Sequence, residues 1–217
     1  MQYLERHVES IDWITLTLVG CFLVLAFAKY LYPFRFQEFI RLPITNKYFL
    51  VQGKNEEIQH PFNLLLFAIQ AVSVSLFIYL IFELYNPETI QNNEWLFIQI
   101  CTGYIVFVFI KFCIEKIVGS IFSIDKLVNS YLYQKITYRN LISIFIFISN
   151  LVFFYIFRFS ETILLVYIIV FLTLNTITLV YSYKTHGNLV SRHFLYFILY
   201  LCALEISPYI ILYKVFI

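Results

Sequence analysis

The sequence predicts an all-α, polytopic transmembrane bundle of about six spans, and three observations carry that expectation. Six stretches are almost purely apolar and together take up more than half of the 217 residues. The chain is 61% hydrophobic and only 13% charged, which does not describe a soluble domain. Each stretch also has the length that a bilayer demands, since a hydrocarbon core about 30 Å thick takes roughly 20 helical residues to cross. Residues 1–217 therefore read as a single integral membrane domain.

The first span is expected over 11–32, with Trp13 and Tyr30 as interface anchors. The residues ahead of it carry Glu5, Glu9 and Asp12 against Arg6, unlike the basic leader of a secretory signal, so this span should be retained. In the loop that follows, Phe36, Phe39 and Ile40 fall opposite Arg35, Glu38 and Arg41, the pattern of a short amphipathic interfacial helix ended by Pro43. His60-Pro61 opens the second span, 62–85, because proline at a helix start gives up an N–H that has no partner there. Asn86-Pro87-Glu88 begins a short polar link.

The third span, 95–119, is interrupted by Lys111, Glu115 and Lys116. Between Ser120 and Asn140, Ile121, Ile124, Leu127, Val128, Tyr131 and Leu132 recur at three and four, which predicts a second interfacial helix lying along the membrane. The fourth span, 141–157, turns tightly at Arg158 to Glu161 into the fifth, 162–183; a Thr185-His186-Gly187-Asn188 turn then leads to the sixth, 193–214.

Lys and Arg are retained on the cytoplasmic side. The first, third and fifth loops hold nine of them, from Arg35 to Arg192, while the termini and the even loops hold Arg6, Arg158 and Lys214. Both termini should therefore face the periplasm, with the two amphipathic loops cytoplasmic. A re-entrant third span would invert everything after it.

Few residues could carry chemistry. Glu205 lies well inside the sixth span, where an ionised side chain costs at least ~2.5 kcal/mol and must face protein or water. It reads either as a proton or cation site beside Pro208 or as a structural, hydrogen-bonded carboxyl. Lys111 and Glu115 share one helix face; Lys111 snorkels outward, pairs with Glu115 within the helix, or pairs with Glu205 across a helix interface. Gln70 and Asn175 add polar groups of the kind that bond helices together, with Asn150 and several threonines.

His60, His186 and His193 fall at span ends, without the spacing of a metal or haem site. The four cysteines sit inside apolar runs with no CxxC pair, and nucleophile, Walker and zinc-protease motifs are absent. No catalytic residue, cofactor or metal is expected. A net charge of +2 without a basic tract gives no reason to expect nucleic acid; the expected partners are the lipid bilayer and other membrane proteins.

The run Phe194-Leu195-Tyr196-Phe197-Ile198-Leu199-Tyr200-Leu201-Cys202-Ala203-Leu204-Glu205-Ile206-Ser207-Pro208 resembles the closing segment of a family of integral membrane proteins from Bacteroidota, domain of unknown function 4271. His60-Pro61-Phe62 is similar to the Pro-Phe start of that family's second span. The resemblance implies a multi-span helical fold in a bacterial inner membrane and supplies no activity. Three functions are weighed: a non-enzymatic scaffold or assembly subunit of an envelope complex, a small transporter or proton-coupled channel using Glu205, and a lipid-modifying membrane enzyme, for which only the terminal histidines fall at one membrane level.

Overall fold

The computed structural model describes residues 12–42, 48–49, 60–93, 95–121, 125–156, 162–171 and 173, and contains no strand among them. In chain order the helices are α1 (Asp12–Leu31), α2 (Pro33–Ile40), α3 (Pro61–Tyr85), α4 (Pro87–Asn92), α5 (Leu96–Ile121), α6 (Asp125–Tyr155) and α7 (Thr162–Phe171). Helices α1, α3 and α5, with Val128–Tyr155 of α6, are long and apolar enough to cross a membrane. That makes four candidate spans. The fifth span is described only as α7 and Thr173; its remainder, the whole sixth span, Glu205 and Asn175 lie outside the described residues.

The first three spans begin and end within two residues of where apolar runs and prolines place them. His60 caps α3: the Phe62 N–H donates to its Nδ1 at 3.2 Å, and Pro61 occupies the first turn. The third span is one unbroken helix of 26 residues rather than a re-entrant segment.

Two expectations need correction. The polar link after Asn86 folds into the short helix α4, started by Pro87. More consequentially, residues 125–140 do not form a separate helix lying along the membrane. They are the first half of α6, which runs for 31 residues without a glycine or proline to break it. Val128, Tyr131 and Leu132 of the expected apolar face are buried, and the polar Gln134, Thr137 and Asn140 are buried as well. On α2, Phe39 is fully buried, but Ile40, expected on the same apolar face, is exposed.

Two aromatic levels frame the bundle. At one end Trp13 meets Tyr79 and Phe97, each with ring centroids 5.2 Å away, and Thr15 shares a 2.6 Å hydrogen bond with the Tyr155 hydroxyl. At the other, Ala28, Phe39, Tyr48, Phe62, Tyr133 and Tyr138 form a continuous core. Burial and the neighbouring Tyr133 hold the Tyr48 phenol well above its ordinary pKa. Helices α1 and α5 run from the Trp13 end to the Tyr48 end, and α3 and α6 run back.

Helices α3 and α6 are therefore parallel neighbours, and they form the most extensive helix contact. Their register is fixed by Asn150, whose Nδ2 donates to the Ser73 carbonyl at 2.8 Å across an offset of 77 positions. Tyr167 of α7 then packs on both helices, 4.9 Å from Phe77 and 5.4 Å from Phe153.

Candidate functional site

Counting from the Trp13 end gives the depth of each polar residue. About twenty residues from the start of α5 lies Glu115, and about twenty back from Tyr155 on α6 lies Lys135. Towards the Tyr48 end of the bundle the two side chains meet: Lys135 Nζ donates to Glu115 Oε1 at 2.6 Å. Glu115 is only 2% exposed and Lys135 14%, so the pair is largely withdrawn from water. The Lys135 ammonium also stands over the Tyr131 ring, 5.6 Å from its centroid.

The pair forms one wall of a small, partly open recess between α5 and α6, with a volume of about 10 Å³, about that of a single water site. Lys111, Glu115, Lys135 and Arg139 supply its polar lining, and Val108, Phe112, Leu132 and Ile136 the apolar remainder. Arg139 Nε is buried and makes no hydrogen bond among the described residues. Past this level α5 continues to Ile121 and α6 reaches back to Asp125, by about 9 and 15 Å. Lys116 donates to the Asn129 side chain in this overhang, and Gly119 lets the helices close on Val128.

Lys111 and Glu115 thus share a recess, and Glu115 is bonded to Lys135, a residue the sequence places in a loop. Gln70 lies elsewhere, fully buried on α3, its amide donating to the Tyr104 hydroxyl of α5. Of the terminal histidines, only His60 is described, where it caps a helix and meets the Tyr32 ring at 4.9 Å. Among the described residues no group of three His, Cys, Asp or Glu could hold a metal ion, and Cys21, Cys101 and Cys113 are free thiols. Lys135 and Arg139 were missed as site residues because their polar neighbours made the segment look interfacial; the signal available was the absence of a helix breaker between Asp125 and Tyr155.

Side chains that bond between helices should contribute modestly. Replacing Asn150 with leucine is expected to cost about 0.6–1.7 kcal/mol, read as a lowered thermal midpoint in detergent without loss of expression.

Helices of this length and apolarity, joined through buried polar contacts, are the marks of a helical, multi-span membrane protein. The chain belongs to the family described as domain of unknown function (DUF4271), whose model matches residues 14–216. No curated protein and no solved structure shows a significant match to it.

Proposed function

We propose that this chain is a non-enzymatic integral membrane protein that scaffolds or assembles a bacterial envelope complex in the inner membrane. The observation that carries the reading is how the intramembrane polar groups are used. Gln70 is bonded to α5, Asn150 to α3 and Glu115 to α6, so each holds two helices of the bundle together. Helix α5 meanwhile leaves a broad apolar face, including Ile98, Val106, Phe109, Ile110 and Ile117, open to lipid or to a partner helix. Affinity purification in mild detergent should return the same partner proteins reproducibly; a lone monomer would count heavily against the reading.

The excess of Lys and Arg in the odd loops supports both termini on the periplasmic side. Cysteines introduced near Lys54, Lys126 and Lys184 should resist an impermeant thiol reagent in intact spheroplasts and react after lysis. Labelling before lysis would reverse the orientation.

A small transporter or proton-coupled channel is the second reading. Gln70 Oε1, Ser73 Oγ, Asn140 Oδ1 and Asn150 Oδ1 favour it: all are buried acceptors on α3 and α6 without a hydrogen-bond partner among the described residues. Under the scaffold reading, proteoliposomes carry no protein-dependent proton flux, and Glu205→Gln keeps expression, folding and partner capture. A flux in the wild type that Glu205→Gln abolishes, with folding intact, would establish the transporter instead.

A further inference from the structure

We propose that His60 is a pH-sensitive latch: its neutral imidazole holds the first turn of α3 against α2, and taking up a proton releases that turn. The inference is independent of the scaffold reading and begins with the backbone donors of α3. Pro61 has no N–H, so the first three donors of the helix belong to Phe62, Asn63 and Leu64. All three go to His60. Its carbonyl accepts from Asn63 at 2.9 Å and from Leu64 at 3.3 Å, and its Nδ1 accepts from Phe62 at 3.2 Å.

The last of these bonds exists in one protonation state alone. A neutral imidazole keeps one bare nitrogen that accepts, whereas both nitrogens of the cation carry hydrogen and donate. On protonation the Nδ1–H meets the Phe62 N–H donor against donor, and the ring has to turn away. Phe62 is fully buried, so water is poorly placed to replace the lost acceptor, and a buried N–H without one is costly. The positive end of the α3 dipole adds to the cost of a cation at that place. His60 itself is half-buried, within reach of solvent protons, and histidine changes charge between about pH 5 and 8.

Packing carries the change beyond one bond. The Phe62 ring centroid lies 5.8 Å from that of Phe39 on α2 and 6.0 Å from that of Tyr32, which also meets the His60 ring at 4.9 Å. A frayed first turn therefore loosens α3 from α2 at the Tyr48 end of the bundle. With Nδ1 bare, the latched chain binds fewer protons than the released one, so the latch is fully present above the histidine range and is lost as pH falls through it. The titratable tyrosines of this core are Tyr32, Tyr48, Tyr133 and Tyr138. Among the described residues, the charged groups on the elements around it are Lys29 of α1, Arg35, Glu38 and Arg41 of α2, and Lys135 and Arg139 of α6. Glu38 is the one carboxylate among these six, and so the one that attracts a protonated imidazole, which makes it the control.

The test follows amide hydrogen exchange of the purified full chain in detergent at about pH 8 and about pH 5. Each rate is divided by that of an unprotected amide at the same pH. Protection of Phe62, Asn63 and Leu64 should fall about fivefold at the lower pH, while Leu76 to Leu80 in the middle of α3 keep theirs. His60→Asn, which caps a helix with no proton to gain, should hold the turn at both pH values, and His60→Ala should lose it at both. Glu38→Gln should leave the fall in place. Should His60→Ala not fold, the wild type and His60→Asn decide. Unchanged protection in the wild type would overturn the proposal. So would a fall that persists in His60→Asn or vanishes in Glu38→Gln, since either assigns the response to another group.

Discussion

Lys135→Met is expected to be among the most damaging single changes in the bundle, at about 3–5 kcal/mol. The reason is the asymmetry of a withdrawn ion pair. Glu115 is 2% exposed, so removing its partner leaves a carboxylate without water, while the pair as a whole gives back little more than its own desolvation cost. The double variant Glu115→Gln with Lys135→Met removes both charges, keeps the approximate volumes, and should recover most of the loss. Thermal denaturation in detergent, followed by circular dichroism, measures both. If the double variant is as unstable as Lys135→Met alone, packing of the lysine stem, and not charge, holds the helices at this point.

The second large effect belongs to Gly119, where α5 approaches Val128 of α6 closely. A Cβ there would sit 3.1 Å from Val128 Cβ and Cγ2 and 3.2 Å from Cγ1. Valine is stiff at χ1 and cannot swing aside, so the helices must separate. Gly119→Ala should cost about 1–3 kcal/mol and Gly119→Leu more. Adding Val128→Ala to Gly119→Ala should restore most of the midpoint, which a general loss of backbone freedom would not allow. Gly20 and Gly103 meet nothing within 4 Å, so alanine at either is tolerated. A destabilised Gly103→Ala would argue that a helix neighbour covers that face.

The contrast between these sites shows what could be read in advance. Span boundaries follow from length, apolarity and proline, which are local, and α1, α3 and α5 begin and end close to their expected limits. The cap at His60-Pro61 is equally local. The merger of residues 125–140 with the fourth span was legible only in the lack of a breaker between Asp125 and Tyr155; the pattern itself is silent, because a helix face that touches protein and one that touches headgroups carry the same alternation of polar and apolar residues. Only the packing partners distinguish them: Thr137 and Asn140 are buried in the bundle, and α5 presents Glu115 to Lys135. Long-range pairs of this kind depend on register between helices, and no single-helix pattern encodes register. The resemblance at the C-terminal run did identify the family.

The parallel pairing of α3 and α6 has a consequence for how the chain is made. Asn150 meets Ser73 across 77 positions, a stretch that takes about 4–15 s to synthesise at usual elongation rates. During that interval α3 has entered the bilayer while Gln70 and Ser73 still await their completed surroundings, and the intervening α5 must insert in the opposite sense first. An early hairpin of α3 with α5, joined by Gln70 and Tyr104, would shelter part of that polar surface until α6 emerges. The order of assembly is thus written into which helix each amide reaches: the nearer partner is available first, and the seam that unites the bundle closes last.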